Sequence, residues 1–407
     1  MEKLKRNYAD LLVRKGVNLK VGQYLVVSSP VECFDFARIV AEAGYDAGAR
    51  EVIIDYQDEQ IFKMKFEKAS DEVFDTYEDW RTSLNDHYLL EDAAFIILDA
   101  NTPGLFEDID RSRMNRLGAV AFPKLSNYRT SLMNNKVTWC IASMPTLSWA
   151  NKVFPNEVEP INRLWDVILK SVRVEEDDFL AKWDEHIDNL NETAAKLNEI
   201  QFKRLHIKNS IGTDIKVELP VDHIWKSTQS ETVQGRRFIA NIPSEEVYTA
   251  PDKHGVNGKV VATKPLIYNG GIIDDFYLIF KNGQVIEAKA KQGNDLLSAL
   301  VNTDEGARFL GEVAILPNDT PLSNQNFLFH NTLYDENTGS HFALGQASLE
   351  STKNGKQMSE EQLNAHGINQ SKVKANFTFT TADLSIHGVD KDGEIIEILK
   401  EARIVLN

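Results

Sequence analysis

Residues 23–56 read QYLVVSSPVECFDFARIVAEAGYDAGAREVIIDY, and this stretch decides the fold class of the first half of the chain. Its opening run, QYLVVS at 23–28, is short and apolar, as expected of a strand buried on both faces. Over 34–44, Phe34, Ala37, Ile39, Val40 and Ala43 recur at the spacing of one helical face. EVIIDY at 51–56 is a second apolar run, rich in β-branched residues. Strand, helix, strand in that order predicts two parallel strands joined by a helical crossover. The alternation continues downstream. Residues 71–86 read as a helix, AAFIIL at 93–98 as a third strand and KVTWCIA at 136–142 as a fourth. The spacing predicts an α/β N-terminal domain with a mostly parallel sheet.

No G-x-G-x-x-G or G-x-x-x-x-G-K-[ST] follows any of these strands, so a nucleotide-linked enzyme has no phosphate loop to rest on. Gly44 and Gly48 are helix-end punctuation. Two further helices are expected at 162–172 and 177–200. In the second, Phe179, Trp183, Ile187, Leu190, Ala194 and Leu197 step by three and four and form one apolar stripe. Taken as linking helices, 158–200 close a first domain of residues 1–200.

Beyond Phe202 the texture changes to dense turn signals separated by short alternating runs. Asn282-Gly283 between two such runs is a strong hairpin signal. Helical texture returns only at 293–302 and 359–366. Residues 201–407 therefore read as a second, α+β domain rich in antiparallel sheet.

The 407 residues carry 45 Lys and Arg against 61 Asp and Glu, a formal charge of −16. Such a surface repels phosphate backbones and anionic lipid, so neither nucleic acid nor membrane is expected as a partner. Cys33 and Cys140 are the only cysteines and are far apart, which excludes a disulfide framework and a thiolate zinc site. The opening MEKLKRNYADLLVRKG has no uninterrupted apolar run, and no segment is apolar for the length a bilayer requires. The expectation is a cytoplasmic protein.

H-E-x-x-H and G-x-S-x-G are both absent, which removes a zincin and an α/β-hydrolase elbow. Three segments of the second half place acids and a histidine beside apolar runs: NIPSEEVY at 241–248, GEVAIL at 311–316 and DENTGSHFALGQ at 335–346. A carboxylate at the mouth of a buried strand must be paired, hydrogen-bonded or metal-bound. Taken singly, each acid is readily explained by an Arg or Lys partner or a helix cap. Taken together, two glutamates and a histidine fit a divalent-metal site of mixed oxygen and nitrogen ligands.

The segments NIPSEEVYTAP (241–251), TDEGARFLGEVAIL (303–316) and NTLYDENTGSHFALGQA (331–347) closely resemble the M29 metallo-aminopeptidases, and the resemblance extends upstream to YADLLVRKGVNLKVGQYLVV (8–27) and GTDIKVELP (212–220). It implies a two-domain homodimer whose active site lies in the C-terminal domain. It also implies two adjacent divalent ions, typically cobalt or zinc with magnesium and manganese as further candidates, and removal of N-terminal residues from peptide substrates. On this chain the family's metal ligands fall on Glu246, Glu312 and His341, and a catalytic acid on Glu336. Three positions depart from the family pattern. Lys374 and Asn376 stand where the resemblance implies a histidine and an aspartate ligand, and Ser348 where it implies a tyrosine that stabilises the tetrahedral intermediate. Two outcomes follow. Either Lys374 fills a metal position, leaving one ion or none and a degenerate, non-catalytic peptide-binding or structural dimer, or nearby groups, with His387 and Asp383 as candidates, replace the lost ligands and preserve the hydrolase.

Overall fold

The computed structural model describes every residue except 101, 326 and 407. The chain forms two compact units, residues 1–184 with 229–243, and residues 185–228 with 244–407. In the first unit a five-stranded sheet runs in the order Glu51–Gln57, Tyr24–Pro30, Ala94–Asp99, Trp139–Ser143, Asn241–Ile242. Every pairing in it is parallel. Leu25, Val26, Val27, Ile96 and Leu98 are buried, as the apolar runs require. The first crossover is the helix Phe34–Asp46, which buries Phe36, Ala37, Val40 and Ala43. Phe34, read from the sequence as part of that face, is instead 40% exposed, with the Arg38 guanidinium 4.8 Å over its ring.

A single helix over 71–86 does not form. Asp71–Phe74 is a short 3-10 turn, and the α-helix is Trp80–Leu90. The reason is tertiary. Arg113 and Arg116, on the helix Arg111–Lys124, bind Asp71 and Asp75 at 2.6 Å each, so these acids are held from outside rather than by one continuous helix.

The second unit contains a nine-stranded sheet and a four-stranded sheet, both antiparallel throughout. The expected hairpin joins Gly271–Lys281 to Gln284–Gln292. Asn282 and Gly283 have φ of 51° and 80°, the left-handed pair that matches the twist of the flanking strands.

The units divide the chain differently from a single cut at 200. Residues 185–200 of the long helix Phe179–Ile200 belong with the second unit because Leu190, Ala194 and Leu197 pack into its core with Phe276, Phe342 and Leu399. Residues 229–243 belong with the first because Asn241–Ile242 supplies the fifth strand of its parallel sheet.

Candidate metal centre

The four-stranded sheet pairs Val247–Thr249 with Leu310–Ile315, then His341–Gly345, then Lys374–Thr378. Side chains alternate across a strand, so the register fixes which residues share a face. Glu312 pairs with Ala343, which pairs with Asn376, and Gly345 pairs with Lys374. His341 lies two residues before Ala343, and Lys374 two before Asn376. Tyr248 pairs with Ala314, two residues beyond Glu312, and Glu246 lies two before Tyr248. Glu246, Glu312, His341, Lys374 and Asn376 therefore share one face of one small sheet. Four segments far apart in sequence meet there because a period of two brings them round.

Strands Leu310–Ile315 and His341–Gly345 are buried along their whole length. Glu312 and His341 thus sit as polar groups inside an apolar layer, 2% and 0% exposed. His341 Nε2 lies 3.3 Å from Glu246 Oε2 and 3.7 Å from Glu312 Oε1. One ligand atom from each of the three falls within 4.8 Å of the others, and among the described residues this is the group of His, Cys, Asp and Glu side chains able to hold a metal ion. Glu246 Oε2 and His341 Nε2 are buried without a well-formed hydrogen bond. Buried polar atoms left in that state mark a place where a ligand is missing from the account.

Two more groups complete the cluster. The Lys374 ammonium bonds Glu312 Oε2 at 2.8 Å. The Asn376 amide donates to Glu336 Oε2. Glu336, Lys374 and Asn376 also line a cleft together with Lys264, Leu266 and Tyr268. Burial pushes the Glu246 carboxyl up to about 7, against the pull of His341. Burial acts on Glu312 in the same sense and is the largest single influence, but Lys374 and His341 together outweigh it and hold that carboxyl down at about 2. Burial lowers His341, yet the nearby Glu312 and Glu246 carboxylates raise it to about 9.

The groups weighed as replacement ligands lie elsewhere. His387 is in the nine-stranded sheet opposite His206, its ring 3.7 Å from Glu397. Asp383 accepts from the Ser210 backbone at 2.8 Å and from Thr381 Oγ1 at 2.7 Å. Neither joins the cluster, because His387 is committed by its strand's pairing to the nine-stranded sheet and Asp383 sits in the turn that leads into that strand. Asp335, one residue from Glu336, is occupied as a loop brace, accepting from the backbone of Phe329 and Asn331. Two participants carried no sequence signal. Tyr248 shares the cluster's face near Ser348, with burial pushing its phenol well up, and Lys264 reaches the cleft from the loop before Leu266–Tyr268.

The edge of the site depends on one glycine. Gly345 has φ of 99°, and a Cβ there would stand 2.0 Å from the Val373 carbonyl oxygen. A side chain pays the left-handed penalty of about 1–2 kcal/mol and must also push away the residue that precedes Lys374. Gly345→Ala is expected to lower stability by about 2–4 kcal/mol, read as a fall in the urea midpoint, and to weaken metal binding in parallel. An unchanged midpoint would show that the backbone yields freely here.

With this geometry in view, similarity to known proteins becomes informative. The profile of the thermophilic metalloprotease family M29 matches residues 1–403. The chain belongs to the M29 family. It is 40% identical to aminopeptidase AmpS of Bacillus subtilis over 389 residues, which cover 95% of each chain. It is 41% identical to aminopeptidase 2 of Geobacillus stearothermophilus over 395 residues, 97% of this chain and 95% of that one. The solved structure of wild-type AmpT from Thermus thermophilus superposes with a TM-score of 0.92 at 30% identity, covering 99% of both chains. The M29 relationship accounts for the α/β and α+β architecture and brings with it the use of divalent metal.

The donors present fit that use in part. Glu246, Glu312 and His341 offer two oxygens and a nitrogen within one coordination sphere, a sound set for a single divalent ion. At the positions where the M29 resemblance implies further ligands, Lys374 supplies a cation with no lone pair while protonated, and Asn376 a neutral amide already donating to Glu336.

Proposed function

We propose that this chain is a metal-dependent aminopeptidase that releases N-terminal residues from peptides, at a rate lowered by the changes at Lys374, Asn376 and Ser348. The observation that carries this reading is the convergence of Glu246, Glu312 and His341 beside a cleft. A divalent ion held there, cobalt or zinc by family habit, supplies a Lewis acid that polarises a carbonyl and makes bound water acidic. The chain's own residues do the rest. Glu336 lies in the cleft wall, and burial raises its carboxyl above the ordinary range. A carboxyl so placed can take a proton as water attacks the peptide carbonyl and return it to the leaving amine. The Asn376 amide fixes its orientation. Leu266, Ile267 and Phe377 give the cleft an apolar wall for a substrate side chain, and the surrounding carboxylates attract the free α-ammonium. Among the described residues no helix is long and apolar enough to cross a membrane. A cytoplasmic homodimer is the setting that the family resemblance suggests.

Purified protein is expected to release dye from amino-acid arylamides, to lose that activity to a chelator, and to regain it with added Co2+ or Zn2+. Absence of turnover under every metal condition would reject the reading. The Lys374–Glu312 ion pair favours a second one, a non-catalytic dimer that binds peptides without cleaving them. Peptide binding by calorimetry with no release of product would support it.

A further inference from the structure

Resting on the metal-dependent reading, we propose that the Lys374 ammonium is the resident second cation of this centre, which therefore takes one divalent ion per chain. Three carboxylates, Glu246, Glu312 and Glu336, share the site with one fixed ammonium. Two negative charges remain, and a single divalent ion with neutral His341 cancels them. A second such ion would leave two positive charges uncompensated among largely buried groups, a state that desolvation opposes. The hydrogen bonds agree with the charge count. Glu312 gives one oxygen to Lys374 at 2.8 Å and turns the other toward His341 at 3.7 Å. Glu336 already accepts from Asn376. Three atoms of the cluster are buried without a well-formed hydrogen bond: Glu246 Oε2, His341 Nε2 and Asn376 Oδ1. The first two lie 3.3 Å apart and, with Glu312 Oε1, mark one position, whereas Asn376 offers only a neutral carbonyl oxygen and no charge to hold a second divalent ion. The Lys374 side chain is 43% exposed, so its stem reaches in from the cleft with the charge applied at the tip.

The test is stoichiometry, read independently of turnover. Full-length protein is stripped with a chelator, titrated with ZnCl2 and analysed for bound metal after gel filtration. The native chain is expected to hold one ion. Lys374→His with Asn376→Asp exchanges the ammonium for an imidazole and the amide for a carboxylate, and is expected to hold two. Lys374→Arg keeps the charge and is expected to hold no more than the native chain. Lys374→Met removes the charge, and its one ion is expected to bind about tenfold more tightly or better, since a competing cation is gone. Two ions or none in the native chain overturns the proposal, as does a folded double variant that gains no second ion. If the double variant does not fold, unchanged affinity in Lys374→Met overturns it instead. Two ions with chelator-sensitive turnover sinks this inference and leaves the aminopeptidase reading intact. One ion without turnover does the reverse.

Discussion

His341→Ala is expected to remove the bound divalent ion and to cut aminopeptidase turnover by about 100-fold or more, while the chain still unfolds cooperatively. Loss of a group that merely orients a ligand costs about 10–100-fold in metal affinity, and His341 is a ligand itself in this reading. Its imidazole is fully buried between Glu246 and Glu312. Removing it leaves a void and takes the nearest cation from Glu246, whose carboxyl then has every reason to stay protonated. A stability loss of about 1–3 kcal/mol is expected alongside, read from denaturant midpoints. His387→Ala is the informative control. That residue was a sequence-level candidate for the same duty, but it pairs in the other sheet opposite His206. Its removal is expected to leave metal content unchanged. If His387→Ala empties the site and His341→Ala does not, the assignment of the imidazole ligand is wrong.

How much of this was legible in the sequence divides along physical lines. Four strands of the parallel sheet were readable because each is an apolar run, a signal confined to a few consecutive residues, whereas the fifth, Asn241–Ile242, is too short to carry one. The 271–292 hairpin was readable because Asn282-Gly283 encodes its own left-handed geometry. The failure at 71–86 came from the opposite cause. Asp71 and Asp75 are bound by Arg113 and Arg116, some forty residues away, and no local pattern records that. The packing of residues 185–200 is likewise not written in their own pattern. An apolar stripe announces that it is buried but not in which core, and Leu190 and Leu197 join strands that follow them in the chain.

The site shows the same division. Glu312 and His341 stood out because a charged or titratable residue in an apolar run is costly, and the structure buries both in such strands. That Lys374 bonds Glu312 rather than Glu246 is a matter of register, set by Gly345 opposite Lys374 and Ala343 opposite Asn376, which no reading of separate segments supplies. Tyr248 was invisible because its role depends on sharing a face with Glu246 and meeting Ser348, a hundred residues on.

The largest gain is expected from Lys374→His, Asn376→Asp and Ser348→Tyr combined. Together they are expected to raise kcat/KM on an amino-acid arylamide by about 100-fold or more, since a single donor aimed at a developing oxyanion is worth about 100–1,000-fold. The three changes address different deficits. The first two return donors to the Lys374–Thr378 strand, and the register already points both positions into the cluster, so no backbone movement is needed. The third returns a phenol to a half-buried position now occupied by a hydroxyl near Tyr248. The effects should be strongly non-additive. Ser348→Tyr alone is expected to change kcat/KM by less than about threefold, because the added donor has little charge to stabilise until the rest of the centre is in place. Lys374→His alone should tighten the one ion but raise kcat/KM little, since the competing ammonium is gone before position 376 supplies a further anionic donor. Steady-state kinetics on the singles, the pairs and the triple, with bound metal measured in each, separates these cases. A triple variant that folds, loads metal and remains no faster than the native chain would show that the barrier lies elsewhere, in the shape of the cleft or the placement of Glu336 rather than in the identity of the three residues.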